Sequence, residues 1–152
     1  MKTIPELRGA LRNLFRGELL EDSETRAKSA NDASIFELIP ALVARPRDAE
    51  DIKTLVLALG THDEPGPRLS LTARAGGTGM TGGALSESIV LDVTHLNKIK
   101  EVTNTHAIVE PGVFYRDLEK ATLAINRVMP TYPASKMICA VGGMVGTNAS
   151  GE

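Results

Sequence analysis

The stretch with the most chemistry in it is Arg74-Ala75-Gly76-Gly77-Thr78-Gly79-Met80-Thr81-Gly82-Gly83, which holds five of the chain's 14 glycines. Glycine loses more backbone entropy on folding than any other residue, so such density needs a cause. A strained surface turn is one. The other is close approach of backbone N–H groups to an anion, usually a phosphate. The tract follows directly on a strand pattern, which favours the anion. Gly77-Thr78-Gly79-Met80-Thr81-Gly82 matches G-x-G-x-x-G. A Rossmann turn of that form must open into a helix. Here only residues 84–88 precede the next strand pattern, and a crossover helix needs a connection of about ten residues or more. Gly83 stands where a P-loop requires lysine. No Val-Ala-Ile-Lys strand follows, as a kinase would require. What remains is a strand, a glycine loop around a phosphate and a short return strand. Thr78 and Thr81 add hydroxyl donors, and each hydrogen bond to a charged phosphate is worth roughly 1.5–3 kcal/mol.

The elements that must position this loop are legible in the pattern. Thr3-Ile4-Pro5-Glu6 has the form of a capping box with proline in the first turn, and predicts a helix to about Phe15 ended by Gly17. Residues 21–34 are polar and read as an extended surface segment. Ala41-Leu42-Val43-Ala44, between Pro40 and Pro46, predicts a short buried strand. Asp48 can cap the next helix, on which Ile52, Leu55, Val56 and Leu59 form one apolar stripe before Gly60. Residues 61–67 read as a Pro/Gly loop. Leu69, Leu71 and Ala73 alternate as in a strand, and Ile89-Val90-Leu91-Asp92-Val93 predicts another. Residues 99–103 and 106–110 predict two strands around a tight turn at Asn104-Thr105. A helix is expected over residues 115–125. Residues 130–152, rich in Pro, Gly and small residues, read as turns. The fold class is α+β, with mixed strands and helices covering one face.

Composition limits the function. The 152 residues are one domain or part of one, 42% apolar and 24% charged, which excludes disorder as the main description. Lys and Arg number 17 against 19 Asp and Glu, a net charge of −2. Neither the stretch up to Arg74 nor the remainder is basic. With aromatics at 3% and no Trp, nucleic acid is not an expected partner. A single cysteine, Cys139, precludes an internal disulfide framework and fits a reducing cytosol. No apolar run approaches a membrane span. Arg8, Arg12 and Arg16 among apolar residues have the look of a transit peptide, but Glu6, Glu18, Glu21 and Asp22 argue for a plain helix.

These residues together resemble the N-terminal part of the FAD-binding (PCMH-type) domain of the vanillyl-alcohol oxidase superfamily, and within it the branch of the glycolate oxidase FAD subunit and D-lactate dehydrogenase. Ser29-Ala30-Asn31-Asp32-Ala33-Ser34, with Pro40 and Arg45-Pro46, is similar to the family's opening segment. Residues 48–60 are similar to its first helix, 74–85 to its pyrophosphate loop and 89–99 to the following strand. Glu110-Pro111-Gly112-Val113, Pro133-Ala134-Ser135, Gly142-Gly143-Met144 and Asn148-Ala149-Ser150-Gly151 are similar to its later flavin-lining segments. The resemblance implies FAD, with its pyrophosphate on Gly76, Gly77, Thr78, Gly79 and Thr81. Gly82 and Gly83 would let the chain pass close to the cofactor, and Pro111, Gly112 and Val113 would lie along it. Pro133, Ser135, Gly142, Gly143, Asn148 and Ser150 would approach the flavin and ribityl side. Taken singly, the later segments are turn and packing chemistry; in series they read as a cofactor site.

The resemblance further implies that the full enzyme oxidises a 2-hydroxy acid, the hydroxyl losing a proton to a base and the hydride passing to the flavin. No base is identifiable. Another alcohol substrate, or a non-catalytic module that binds a nucleotide or phosphate, stays open. The family's FAD domain continues past the Asn-Ala-Ser-Gly segment and a substrate-binding cap domain follows. The chain over residues 1–152 therefore reads as a truncated piece, without turnover alone. An iron–sulfur subunit or region accepts electrons in many relatives, and one cysteine cannot hold a cluster here. The expected location is cytoplasmic, or peripheral to a membrane through partners. Some relatives attach flavin through a His in the glycine loop, where this chain has Met80; others use a Cys near the later glycines. Cys139 lies three residues before Gly142, but a small buried thiol is the weightier reading, so FAD is expected to be non-covalent. Arg74 reads equally as a phosphate partner or a surface charge, and Asp32 as a turn residue. His62, His95 and His106 have no metal-ligand spacing.

Overall fold

The computed structural model describes residues 3–60 and 68–150. The Pro/Gly loop expected at 61–67 lies outside the described residues. Helix α1 (Ile4–Leu11) opens on the expected capping box: the Thr3 hydroxyl accepts from Glu6 N, and a Glu6 carboxylate oxygen accepts from Thr3 N at 2.7 Å. It ends earlier than the pattern predicts. Asn13 has φ +67°, a left-handed residue that helix geometry cannot continue through. Gly17 has a different role, since a Cβ there would run into the Arg45 carbonyl of the next strand.

Strand β1 (Glu18–Leu20) is followed by α2 (Ser23–Lys28), where the sequence reading placed an extended segment. Asp22 caps α2 by accepting from Thr25 N at 2.8 Å. None of its residues is buried, so it carries no apolar stripe to betray it. Strand β2 (Leu42–Arg45) and helix α3 (Ala49–Leu59) match expectation. The Asp48 carboxylate accepts from Glu50 N and Asp51 N, and Gly60 ends the helix at φ +84°. Of the α3 stripe, Leu55 is fully buried while Val56 is half exposed.

Strands β3 (Leu71–Arg74) and β4 (Ile89–Asp92) complete a four-stranded sheet in the order β1-β2-β4-β3. β1 runs antiparallel to β2, whereas β4 is parallel to both β2 and β3. The return strand after the glycine tract is thus parallel to the strand before it, and residues 75–88 make the crossover without any helix. Leu42, Ala44, Ile89 and Leu91 turn one sheet face toward Leu7 and Leu11 of α1 and Leu55 of α3, forming the main core. A buried Asp51 fastens the layers. It accepts from the backbone amides of Arg16 and Arg47 at 3.0 and 2.8 Å and from Arg16 Nε at 3.3 Å.

A hairpin of β5 (Ile99–Val102) and β6 (Ala107–Val109) follows, then α4 (Tyr115–Leu123) and α5 (Val141–Gly146). α5 lies where only turns were expected. Three of its six residues are glycine, which helix propensity disfavours by about 1 kcal/mol each, so packing rather than propensity forms it. Met144 of α5, Cys139 and Tyr115 make a second buried cluster. Among the described residues no helix is long and apolar enough to cross a membrane.

Leu55→Ala is expected to destabilise the chain by about 2–5 kcal/mol, read as a lower urea midpoint at unchanged m-value. Asp92, at the end of β4, gives a pH prediction. Burial pushes its carboxyl up, but the Thr94 hydroxyl and amide and the Arg45 guanidinium outweigh that and hold it below its ordinary 3.8. A carboxyl depressed in the folded state stabilises above its unfolded value, and that stability disappears as pH falls through the folded one. Asp92→Asn should therefore lower the urea midpoint at neutral pH and flatten its fall below about pH 4.

Candidate functional site

The cleft lies beyond the C-terminal end of β3, where ligands sit in open parallel sheets. It has a volume of about 430 Å³. One wall is the glycine loop, with Gly76, Gly77, Thr78 and Met80. A second is the turn Asn31-Asp32-Ala33, and a third holds Ser135 and Ile138. Asp32 is a turn residue, as expected: its Oδ1 accepts from Ser34 N at 2.8 Å.

Close backbone contacts bring these walls together. A Cβ on Gly76 would stand 3.0 Å from Ile138 O and 3.1 Å from Ala140 N. Gly142 N donates to Pro111 O at 2.8 Å, Val141 N to Val113 O at 2.9 Å and Tyr115 N to Cys139 O at 3.0 Å. The Pro111-Gly112-Val113 segment is thereby zipped to the start of α5. It is anchored on its other side by Gly112, whose N–H donates to Leu96 O at 2.7 Å. A side chain there would collide with three carbonyls, those of Val93, Thr94 and Leu96.

Of the residues expected to bind a cofactor, Gly76, Gly77, Thr78 and Ser135 line the cleft. Gly112, Val113 and Gly142 form the frame behind it, with Pro111. Gly82, at φ +74°, packs against the Phe36 ring. Gly79 and Gly83 have no close neighbour that would exclude a small side chain. Thr81, Pro133, Gly143, Asn148 and Ser150 are not among the lining residues. Gly143 lies on α5 and Asn148, at φ +49°, in the turn beyond it.

Sequence reading left Arg74 undecided and missed its contact. It is half-buried: Nη2 donates to Asn31 O at 2.7 Å and Nη1 is buried without a partner. The contact spans 43 residues, so no local pattern announces it. Met80 and Ile138 contribute apolar surface and the loop contributes backbone donors, while Arg74 is not among the lining residues. This set suits a dinucleotide that has aromatic rings and a diphosphate.

The buried cluster behind the cleft supplies no proton-transfer group. Burial pushes the Tyr115 phenol up to about 12, and its hydroxyl donates to Met129 O at 2.8 Å. Burial also pushes the Cys139 thiol up. Among the described residues no three His, Cys, Asp or Glu side chains converge as a metal set.

The profile of the FAD binding domain matches residues 40–152. The chain belongs to that family. D-2-hydroxyglutarate dehydrogenase of Pseudomonas putida is 34% identical over 153 residues, covering 97% of this chain and 15% of that protein. The glycolate oxidase subunit GlcD of Bacillus subtilis is 33% identical over 119 residues, covering 76% of this chain and 24% of that one. The chain thus spans a minor part of these relatives' length. Among solved structures, an alkyldihydroxyacetonephosphate synthase superposes with TM-score 0.81 at 21% identity, covering 99% of this chain and 30% of that one. 6-Hydroxy-D-nicotine oxidase of Arthrobacter nicotinovorans gives 0.64 at 26%, covering 77% and 26%. The fold is that of the FAD-binding domain of the vanillyl-alcohol oxidase superfamily, as the sequence resemblance implied, and FAD is the cofactor that the family binds.

Because Cys139 is buried and its thiol held protonated, iodoacetamide should label it slowly in the native chain and rapidly in denaturant. Fast native labelling, followed by mass spectrometry, would contradict this placement.

Proposed function

We propose that this chain is the nucleotide-holding part of an FAD-dependent dehydrogenase or oxidase that acts on a 2-hydroxy acid. The observation that carries the reading is the 34% identity, over nearly the whole chain, to a protein named D-2-hydroxyglutarate dehydrogenase. A glycolate oxidase subunit among the relatives supports the same substrate class. When bound, FAD accepts the hydride from the carbon that bears the hydroxyl. This chain's residues bind and orient it.

The backbone N–H groups of Gly76, Gly77, Thr78 and Gly79, with the hydroxyls of Thr78 and Thr81, hold the diphosphate. Gly82 and Gly83 let the chain pass close to it. Pro111, Gly112 and Val113 run along the cofactor. Pro133, Ser135, Gly142, Gly143, Asn148 and Ser150 belong to the flavin and ribityl side. Attachment is non-covalent, since the loop has no His and the Cys139 thiol is buried. Relatives named as glycolate oxidase subunits support a multi-subunit enzyme, and the partner proposed is an electron-accepting iron–sulfur subunit or region. A module that binds a nucleotide without catalysis is the second reading, because the glycine loop alone would serve it.

The test is to soak the purified chain in FAD, desalt it, record the flavin absorption band and precipitate with acid. About one FAD per chain, released to the supernatant, is expected. A yellow pellet would mean a covalent bond and return attention to Cys139. Gly143→Val should weaken FAD binding and spare ADP; equal loss of both would favour the simple nucleotide module.

A further inference from the structure

The C-terminal edge of the sheet carries two arginines and one carboxylate. Arg45 ends β2, Arg74 ends β3, and Asp92 ends β4, the strand between them. Asp92 is the register partner of Arg74, and the two-residue repeat puts all three on the same sheet face. Asp92 is nevertheless committed elsewhere. Its Oδ2 accepts from Arg45 Nε at 3.0 Å, and its Oδ1 accepts from Thr94 N at 3.0 Å and from the Thr94 hydroxyl at 2.5 Å.

Arg74 is left without a counter-ion. Among the described residues no carboxylate comes within 4.0 Å of it. Asp32, beside the acceptor Asn31, does not take the charge. Its Oδ1 is occupied by Ser34 N, and its Oδ2 is the other buried side-chain atom without a partner. Arg74 is half-buried, and its Nη1 is shielded from water without a partner, an unfavourable state for a cationic N–H.

The guanidinium packs directly against the backbone of a cleft residue. A Cβ on Gly77 would stand 2.5 Å from Arg74 Nη2 and 2.8 Å from its Cζ, at φ +63°. Gly77 lines the cleft together with Gly76 and Thr78. The cation is therefore in contact with the glycine loop at Gly77, outside the residues that line the cleft.

We propose that Arg74 is a positioning residue of the FAD site. In contact with the glycine loop, its unpaired charge attracts the diphosphate, and its hydrogen bond to Asn31 O braces the loop against the opposite wall. The inference rests on the FAD reading of the cleft.

The experiment is FAD titration of the wild-type chain, Arg74→Gln, Arg74→Lys and Asp32→Asn at several NaCl concentrations, paired with urea unfolding of each ligand-free protein. Arg74→Gln should weaken FAD binding by about tenfold or more, with a shallower salt dependence. Arg74→Lys should restore part of the salt dependence, because it keeps the charge but loses the fork. The urea midpoint of ligand-free Arg74→Gln should fall by no more than the loss of one hydrogen bond, that to Asn31 O, because the buried N–H removed with it has no partner. Asp32→Asn, which removes a carboxylate from the cleft wall, should tighten FAD binding. Wild-type affinity in Arg74→Gln overturns the proposal and leaves the FAD reading standing. So does a loss of ligand-free stability that accounts for the loss of binding. An Asp32→Asn defect as large as that of Arg74→Gln would assign the charge to an Arg74–Asp32 pair instead. Failure of the wild-type chain to bind FAD would overturn this inference for the chain and leave its family membership standing.

Discussion

The structure depends on backbone approaching backbone with no side chain between. Gly112 packs onto the carbonyls of Val93, Thr94 and Leu96, Gly142 onto Pro111, and Gly76 onto the stretch from Ile138 to Ala140. These contacts join β3, the end of β4, the segment before α4 and the start of α5 into one frame. Each is closed by hydrogen bonds or by van der Waals contact that a single methyl group would force apart. The usual source of tertiary order, interdigitated apolar side chains, holds α1 and α3 to the sheet. At the cleft that role passes to the peptide chain itself. A surface meant to present backbone N–H groups to an anion cannot also be covered by side chains.

The buried charges divide along the same line. Asp51 and Asp92 each sit among several donors, amides included, and each fastens one piece of chain to another. Their desolvation is offset inside the protein. Arg74 and Asp32, at the cleft, each have a buried atom with no such offset. The interior is electrostatically complete at the sheet and incomplete where a ligand is to enter.

Much of this was legible in the sequence, and for definite reasons. The Thr3–Glu6 box, the Asp48 cap and Gly60 declare helix ends through local hydrogen bonding, and the structure uses all three. β2 and β4 show themselves as short apolar runs because both faces are covered. The glycine loop and its place after β3 were readable from glycine density, and the FAD family from the resemblance of several segments in order along the chain. α2 was not, because a helix with no buried residue has no periodicity. α5 was not, because its glycines argue against a helix that tertiary contacts enforce. The early stop of α1 turns on Asn13 adopting a left-handed conformation, which Asn tolerates but does not require. The absence of a helix between β3 and β4 was readable, but their parallel pairing across residues 75–88 leaves no mark in the local pattern. Arg74's placement depends on Asn31, far along the chain, and long-range contacts leave no spacing to read.

The strand order has a consequence for synthesis. β2 lies between β1 and β4, yet β4 comes some 45 residues later, and β3, made first, can pair only on β4's far side. While the chain leaves the ribosome, β2 has one edge closed by β1 and the other waiting. Pairings this distant in sequence are slow, because loop closure precedes any gain from contact. An open, apolar β2 edge is also the kind of surface that associates with other nascent chains. Arrival of residues 89–92 is therefore the step that covers the waiting β2 edge and brings β3 into the sheet.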